Sequence, residues 1–353
     1  MTETDLLVVG PATRSTGGIS RYVSEQRARL PDSIAVRVYD DGTGSAVWPL
    51  WRRLLVTLWA MLRFPFRRRP DVVHVHTSQA LSFYRATWYV VVAALCWRRP
   101  VLVHVHGSNF DEFVATESRV VRAVQRVTFG LVTRVIVLSD GWQTVLAERV
   151  ESEKLTVLPN AVDPTEYDPE YDPTPPVVAF VSNHIDRKGI RELVTAVERV
   201  DADLGVRLAG TGPLSALAER LAAEHDHVEY LGYTSEAEKR RLLDSATLYA
   251  LPTHAEGLPI ALLEGMAGGN AVVTTDVGAI PEVVDEDSGW LIEPGDVEAL
   301  ASVLRTVDAD PQRAAEMGRH NRALVEQQYA WSVVVDRLTD LYRSLHDASG
   351  QSR

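Results

Sequence analysis

The sequence predicts an α/β protein made of two domains, each built on a parallel sheet. The chain has 353 residues, which is enough for two domains of ordinary size. Short apolar runs such as 6–10 and 177–182 end in glycine or serine and precede helical patterns, as the strands of a parallel sheet do. Between the two sets of strands, residues 164–176 contain five prolines, a composition typical of an interdomain linker.

Composition limits the class of protein. A chain with 46% hydrophobic and 24% charged residues is typical of a soluble globular protein. The single cysteine, Cys96, excludes an internal disulfide and a cysteine-based zinc cluster. Residues 1–160 hold 20 Lys and Arg against 14 Asp and Glu, whereas residues 161–353 hold 16 against 34. The acidic start carries no signal-peptide pattern. We therefore expect a cytoplasmic protein, and we predict no nucleic-acid partner.

The most informative stretch is 254–270, in which Glu256 and Glu264 are separated by seven residues. Gly257 permits a tight backbone path, and Pro259 suits the first position of a helix that is apolar nearly all round. A buried Glu264 needs partners, which could be a nearby arginine or the paired hydroxyls of a ribose. The first turn of the same helix offers N–H groups suited to a phosphate.

This stretch resembles the Glu-x7-Glu motif of retaining glycosyltransferases with the GT-B fold, those of glycosyltransferase family 4 in particular. Other stretches also resemble that family, namely 157–163, 272–282, 288–296 and the pair Gly17-Gly18. The resemblance implies two facing Rossmann-like domains with a deep cleft between them. It places an acceptor-side domain at 1–163, the linker at 164–176, a donor-binding domain at 177–328 and a helix crossing back at 329–353.

The resemblance also implies roles for individual residues. Glu264 would hold the ribose of a nucleotide-diphosphate sugar, and Glu256 would hold the hydroxyls of its sugar. Lys188 and Arg187 would stabilise the leaving diphosphate, and the alternative is a solvated cation pair before a helix. The family usually has an arginine at position 183, where this chain has Asn183. The remaining predicted donor-binding residues are Gly17, Gly18, Gly210, Tyr233, Gly257, Leu258, Pro259 and Ile260.

Four histidines end two predicted strands. Strand alternation puts His74 with His76, and His104 with His106, on the same face. No carboxylate or cysteine accompanies them at ligand spacing, so we predict no metal site. His104 is expected to be structural. His106 stands at a carboxyl end of a strand, where open parallel sheets bind ligands, and the resemblance implies that it contacts the donor sugar as a catalytic residue.

Residues 48–69 mix tryptophans and leucines with six arginines. The apolar part is too short to span a bilayer. The pattern favours either an interfacial amphipathic helix that contacts an anionic membrane, or an ordinary crossover helix whose arginines are solvated.

The predicted function is retaining transfer of a sugar from a UDP- or GDP-sugar, with no cofactor required. The predicted acceptor is a membrane-associated lipid-linked or surface-glycan precursor, reached from the inner face of the cell membrane. The alternatives are a soluble synthase with a small sugar acceptor and a non-catalytic nucleotide-sugar-binding module. An epimerase of the same fold would need an acid/base pattern that we do not find. The nucleobase, the sugar, the acceptor and the linkage stay open.

Overall fold

The chain folds into two α/β units, described here from a computed structural model. The structure describes residues 3–11, 18–40, 49–108, 110–171 and 175–351. Unit 1 comprises residues 1–160 and 332–353, and unit 2 comprises residues 161–331. Within the described residues each unit contains one sheet of six parallel strands. The prediction of an α/β chain with parallel sheets is therefore confirmed.

Unit 1 has the strand order β2-β1-β3-β4-β5-β6. Its described strands are β1 Thr4–Gly10, β2 Ile34–Asp40, β3 Val72–Thr77, β4 Val101–Val105, β5 Arg134–Val137 and β6 Leu155–Val157. Its described helices are α1 Gly18–Arg29, α2 Leu50–Arg63, α3 Leu81–Val91, α4 Phe110–Val114, α5 Arg119–Leu131, α6 Asp140–Ala147 and, apart from its first residue, α13 Trp331–Gln351. Every residue of β3 and β4 is buried, because helices cover both faces of a parallel sheet.

Unit 2 has the strand order β12-β11-β10-β7-β8-β9. Its described strands are β7 Val177–Val181, β8 Gly205–Ala209, β9 Val228–Gly232, β10 Leu248–Leu251, β11 Ala271–Thr275 and β12 Gly289–Ile292. Its described helices are α7 Ile190–Glu198, α8 Ser215–Glu224, α9 Glu236–Asp244, α10 Ile260–Ala267, α11 Val297–Ala309 and α12 Pro311–Leu324. A core of Val, Leu, Ile and Ala side chains joins the sheet to α7, α8, α11 and α12.

The proline-rich segment belongs to unit 2 along the part that the structure describes. Residues 164–166 form a 3-10 turn, and Tyr167 is buried. The backbone N–H groups of Asp168 and Glu170 donate to the side chain and the carbonyl of Asp244, at 3.0 and 2.7 Å. This stretch is therefore bonded to α9, whereas its composition had indicated a linker. Residues 172–174 lie outside the described residues.

Helix α10 fits tightly because of a glycine. An ideal Cβ at Gly265 would lie 2.5 Å from Cγ of Tyr249, which is fully buried in β10. The helix begins at Ile260 with Pro259 as its N-cap, one residue later than the sequence predicts. The close approach sets the distance between α10 and the sheet.

We predict that Gly265→Ala destabilises unit 2 by about 1–3 kcal/mol, because the added methyl group overpacks the Tyr249 ring. The measurement is the thermal unfolding midpoint. Gly130→Ala in α5 is the matched control, since nothing lies within 4 Å of its ideal Cβ. It should leave the midpoint unchanged or raise it slightly. Equal midpoints for the two variants would contradict the packing described here.

Candidate active site

Three predicted catalytic residues of unit 2 lie where the strand order reverses. Strand β7 has β8 on one side and β10 on the other, so the loops that follow β7 and β10 are neighbours at the carboxyl edge of the sheet. Ligands of open α/β sheets bind at this kind of crevice. The loop after β7 carries Arg187 and Lys188, and the loop after β10 carries Glu256.

Glu256 is buried and is held by two cations. Its Oε1 accepts from the ammonium group of Lys188 and lies 3.5 Å from Nη1 of Arg187. The hydroxyl oxygen of Thr253 lies 3.2 Å from the same oxygen. Removing a carboxylate from water is costly, and adjacent cations offset that cost. The structure therefore brings together three of the predicted catalytic residues.

The two loops are also joined through their backbones. The carbonyl of Arg187 accepts from the Thr253 hydroxyl and from the backbone N–H of His254, both at 2.8 Å. The guanidinium of Arg187 donates to the carbonyl of Ala255 at 2.6 Å. Gly189 has φ +76°, and a Cβ there would lie 1.9 Å from the carbonyl oxygen of Pro252. Glycine is required at this position, because a side chain would push the loops apart.

Glu264 pairs with a lysine that the sequence analysis missed. Its Oε1 lies 2.8 Å from Nζ of Lys239, which is also 2.8 Å from Glu236. Glu264 and Lys239 are both buried, at 3% and 7% exposure. The expected partners were an arginine or ribose hydroxyls, so the lysine is a new partner. Lys239 is one of only three lysines in the chain, a signal that could have identified it.

Tyr249 lies in the field of both glutamates. Burial and then the charges of Glu264 and Glu256 raise the pKa of its hydroxyl well above the ordinary value. The hydroxyl therefore keeps its proton and donates to the carbonyl of Val181 at 3.1 Å. This bond fixes the last residue of β7 next to the loop that carries the cations.

The short segment between the two glutamates is packed into unit 2. Gly257, Leu258 and Pro259 are buried, and the carbonyl of Gly257 accepts from the backbone N–H of Ala279 at 2.8 Å. The N–H groups of the first turn of α10 follow directly, where helix geometry favours an anion. A phosphate site at residues 258–260 stays a prediction.

The remaining predicted donor residues are dispersed. Asn183 is exposed at the start of the loop after β7. Gly210 has φ +124° and accepts no side chain, since a Cβ would lie 1.8 Å from the Ser182 carbonyl oxygen. Tyr233 follows β9 and is 83% exposed. In unit 1, Gly18 is the exposed first residue of α1, and Gly17 lies outside the described residues.

In unit 1 the four predicted histidines form one cluster. His74, His76 and His104 are fully buried, and His106 retains some exposed surface at the end of β4. Nδ1 of His76 lies 3.0 Å from Nε2 of His106, and the ring of His104 stacks on that of His106 with centroids 3.9 Å apart. Burial lowers the pKa of His106 to about 3, against an opposing effect of a hydrogen bond with Asn160. The effect of burial is the larger of the two, and it favours a neutral imidazole.

The ligand atoms of His74, His76 and His104 lie within 4.8 Å of one another, close enough to consider a metal. The rings of His74 and His104 are stacked, with their planes 7° apart and their centroids 5.5 Å apart. Among the described residues this group contains no carboxylate. Three neutral imidazoles would leave the charge of a divalent ion uncompensated in the core. The absence of a metal therefore stays a prediction.

Two family profiles match the chain, one in each half. The profile described as Glycosyltransferase Family 4 matches residues 16–166, and that described as Glycosyl transferases group 1 matches residues 175–310. Together they match well over half of the chain. The chain belongs to glycosyltransferase family 4.

Curated relatives of this family 4 chain include a mannosyltransferase and a synthase. A GDP-mannose-dependent monoacylated alpha-(1-6)-phosphatidylinositol monomannoside mannosyltransferase of Corynebacterium glutamicum is 32% identical over 182 residues, 48% of each chain. An alpha-maltose-1-phosphate synthase of Mycolicibacterium smegmatis is 29% identical over 255 residues, 63% of this chain and 66% of that protein. The chain thus spans about half to two thirds of the length of these relatives.

Solved structures of glycosyltransferases share the fold. Sucrose-phosphate synthase from Thermosynechococcus elongatus has a TM-score of 0.78 at 19% identity, over 98% of this chain and 100% of that one. HepE from Anabaena, solved in complex with UDP-glucose, has a TM-score of 0.72 at 19% identity, over 96% of this chain and 100% of that one. At this identity the likeness concerns the fold, and it confirms the predicted GT-B fold.

We predict that Lys239→Met destabilises this family 4 chain by about 3–5 kcal/mol, because it leaves the Glu264 carboxylate buried without its cation. The double variant Lys239→Met/Glu264→Gln should recover much of the loss. Thermal and urea unfolding are the measurements. Lys154→Met is the matched control, because Lys154 pairs with a Glu151 that is 73% exposed, and it should change stability by less than about 1 kcal/mol. A mild effect of Lys239→Met would show that the pair is not essential for folding.

Proposed function

We propose that this chain is a retaining glycosyltransferase that moves a sugar from a nucleotide-diphosphate sugar to a membrane-associated, lipid-linked or surface-glycan acceptor. One observation carries the proposal. In a family 4 chain, the two glutamates of the Glu-x7-Glu element are buried, and each is paired with a lysine. Such carboxylates and cations can bind hydroxyls and phosphates together. UDP- and GDP-sugars are the proposed donors, with no cofactor required.

The proposed reaction assigns a role to each group. Lys188, Arg187 and the first-turn N–H groups of α10 stabilise the charge that develops on the diphosphate as the bond from the anomeric carbon to the phosphate oxygen breaks. The acceptor oxygen forms its bond to the same carbon on the same face. The proton of the acceptor hydroxyl passes to the departing phosphate oxygen. Glu256 binds hydroxyls of the sugar, and Glu264 binds those of the ribose.

Donor binding would rearrange the ion pairs. Lys188 and Arg187 now contact Glu256, and a diphosphate would compete for both cations. The sugar hydroxyls could then donate to the carboxylate, which replaces the lost cationic contacts with hydrogen bonds. In this proposal Arg187 also replaces the cation that the family usually has at position 183, where this chain has Asn183. The side chain of Arg187 is 41% exposed and can turn toward the phosphates.

The membrane part of the proposal rests on α2. The structure describes all of this helix, and Ala60 alone among its residues is buried. Its apolar side chains are exposed to an unusual degree: Trp51 by 64%, Leu54 by 61%, Leu58 by 53% and Trp59 by 58%. An ordinary crossover helix would pack such side chains against the sheet. None of the described helices is long and apolar enough to cross a membrane.

The basic residues of the same segment favour an anionic surface. Arg52, Arg53 and Arg63 lie on α2, and three further arginines, residues 67–69, follow a short 3-10 turn at Phe64–Phe66. The guanidinium of Arg63 lies 4.1 Å from the centroid of the Trp59 ring. Aromatic and leucine side chains can enter the boundary between headgroups and acyl chains while arginines contact lipid phosphates. We therefore propose that α2 contacts a membrane surface rich in anionic lipid. Position 48 lies outside the described residues.

For the transferase activity, we predict that Lys188→Met and Glu256→Gln each lower kcat/KM by about 100-fold to 1000-fold, because each removes a preorganised group from the transition state. The measurement is transfer of labelled sugar from a panel of UDP- and GDP-sugars, with the anomeric configuration of the product read by NMR. Lys154→Met is the control and should retain full activity.

Nucleotide binding is measured in parallel. A ligand at 100 times its dissociation constant stabilises the folded chain by about 2.7 kcal/mol, which is visible as a higher melting temperature. Stabilisation without transfer to any acceptor would favour the non-catalytic alternative. Neither stabilisation nor transfer, with every donor tested, would contradict the proposal.

For the membrane contact, we predict that Leu54→Ser/Leu58→Ser lowers partitioning onto anionic vesicles by about tenfold or more, because both exposed leucines lie on one face of α2. The measurement is vesicle co-sedimentation with phosphatidylglycerol-containing and purely phosphatidylcholine vesicles. Leu291→Ser, on an exposed leucine of β12, is the control. Equal binding to both vesicle types would contradict the role of the arginines, and no binding to either would contradict the membrane contact.

A further inference from the structure

A cavity lies in unit 1 between α5 and the segment that joins α6 to β6, and we call it the α5 cavity. Its volume is about 330 Å³, close to the lower limit of about 300 Å³ for small-molecule sites. The residues that line it are Arg122, Arg126, Phe129 and Gly130 from α5, and 148–151 and Lys154 from the segment. The proposed sugar transfer uses none of these residues.

The charges around the α5 cavity are unbalanced. The cations are Arg122, Arg126, Arg149 and Lys154, and the acids are Glu148 and Glu151. Lys154 and Glu151 pair with each other at 3.2 Å, and Nζ of Lys154 also lies 3.5 Å from the carbonyl oxygen of Phe129. Lys154 is thereby engaged, and we assign it no contact with a ligand. Three arginines and one glutamate remain, a net charge of +2 that favours an anion.

The two arginines of α5 have no acidic partner. Arg122 and Arg126 form no ion pair with any residue that the structure describes. They are four residues apart on one side of the helix, and like charges at this spacing destabilise a helix. Helix α5 contains three arginines and no acidic residue. An anion bound between these side chains would remove the repulsion.

Arg149 adds a guanidinium group that the backbone holds in place. Its Nε and Nη2 donate to the carbonyl of Val114 at 3.3 and 3.0 Å. A guanidinium has five N–H groups, so further donors remain for a ligand. Guanidinium groups bind phosphate oxygens through paired, charge-assisted hydrogen bonds. Three arginines around one cavity therefore indicate a phosphate group as the ligand.

Glu148 places a second requirement on the ligand. It is exposed on the wall of the α5 cavity and forms no ion pair with any described residue. A carboxylate accepts hydrogen bonds from hydroxyl groups and repels a second anionic group. The organic part of the ligand would therefore carry hydroxyl groups, as glycerol, inositol and sugars do. The volume of the cavity has room for such a group beside the phosphate.

The α5 cavity is separate from the edge of the sheet where the proposed chemistry lies. Gly130 shortly precedes β5 and Lys154 directly precedes β6, so this part of the cavity is at the amino edge. His106 follows β4, at the carboxyl edge. Substrates of open α/β sheets bind at the carboxyl edge. The cavity is therefore a second site of unit 1.

The α5 cavity lies on the same face of the sheet as α2. The connections from β2 to β3, β3 to β4 and β4 to β5 all advance in one direction across the sheet, so right-handed crossovers put α2, α3 and α5 on one face. Trp88 of α3 donates to the carbonyl of Met61 in α2 at 3.0 Å, and the hydroxyls of Thr87 and Thr128 join α3 to α5 at 2.8 Å. A lipid headgroup could thus reach the cavity from the membrane that we propose for α2.

We propose that the α5 cavity binds a phosphate ester whose organic part carries hydroxyl groups. Arg122, Arg126 and Arg149 bind the phosphate, and Glu148 accepts from a hydroxyl. The headgroup of phosphatidylglycerol and a soluble polyol phosphate share this chemistry. The site takes no part in the proposed sugar transfer, and its tests need neither a sugar donor nor an acceptor.

The first test is binding of soluble glycerol 3-phosphate to the full chain by isothermal titration calorimetry, with glycerol as the blank. We expect saturable binding at one site. Arg122→Gln and Arg126→Gln should each weaken the affinity by about tenfold or more, because each removes a charge-assisted contact to the phosphate. Arg119→Gln is the matched control, since Arg119 is exposed on the same helix and does not line the cavity. Equal loss in all three variants would indicate diffuse attraction and would overturn the proposal.

Gly130→Gln tests the cavity without a change of charge. Nothing lies within 4 Å of an ideal Cβ at Gly130, so a glutamine side chain can occupy the cavity without displacing the backbone. Glutamine also has a higher helix propensity than glycine, and thermal unfolding checks that the fold is kept. We expect about tenfold or greater loss of affinity for glycerol 3-phosphate. Parental affinity in Gly130→Gln would overturn the placement of the ligand in this cavity.

Vesicles distinguish the two sources of the ligand. Co-sedimentation with phosphatidylglycerol-containing vesicles compares Gly130→Gln and Arg119→Gln with the parent. Weaker binding of Gly130→Gln alone, by about fivefold or more, would support a lipid headgroup as the ligand. Parental vesicle binding by Gly130→Gln, together with its loss of glycerol 3-phosphate, would support a soluble ester. No binding of glycerol 3-phosphate by the parent, together with parental vesicle binding by Gly130→Gln, would overturn the proposal.

Discussion

The cost of burying a carboxylate governs the architecture of unit 2. Helix α10 is packed into the core, yet it carries Glu264 and follows Glu256, which is also buried. Each carboxylate needs a cation within contact distance, because an unpaired charge in the interior costs several kcal/mol. Lys188 and Lys239 meet that need from a loop and from α9. The loop brings its ammonium group to Glu256, before α10, and α9 brings its ammonium group to Glu264, within α10.

Unit 1 also buries polar side chains, but these are neutral. Its sheet buries three histidines, and burial holds their pKa values far below neutrality. The rings stack on one another, and hydrogen bonds join Gln26 to both His74 and His76 and join Tyr342 to His74. Charge pairing organises the proposed donor site, whereas stacking and hydrogen bonds between neutral groups organise the surroundings of His106.

On the surface of unit 1, helix α2 is bonded to the unit while most of its apolar side chains stay exposed. Tyr39 and Trp88 donate to the carbonyls of Ala60 and Met61, which ties the C-terminal half of α2 to the unit. Most of the apolar side chains of the helix nevertheless remain exposed. This exposure gives the membrane proposal its physical basis, because the hydrophobic effect favours any surface that covers those side chains. The relatives include a transferase whose name specifies a phosphatidylinositol glycolipid acceptor and a synthase that produces a sugar phosphate.

The sequence by itself determined the fold class, the family and most of the proposed donor site. Apolar runs ending in glycine mark parallel strands, and the Glu-x7-Glu spacing is a local pattern that needs no coordinates. Only the tertiary structure decided which buried side chains are paired with one another. Lys239 reaches Glu264 across 25 residues, and Gln26 reaches Tyr342 across 316. Periodicity and motif spacing report on neighbours along the chain, and they are silent on contacts that form only when distant helices pack on a shared sheet. For the same reason, sequence could indicate that α2 is amphipathic, but not that its apolar face stays exposed.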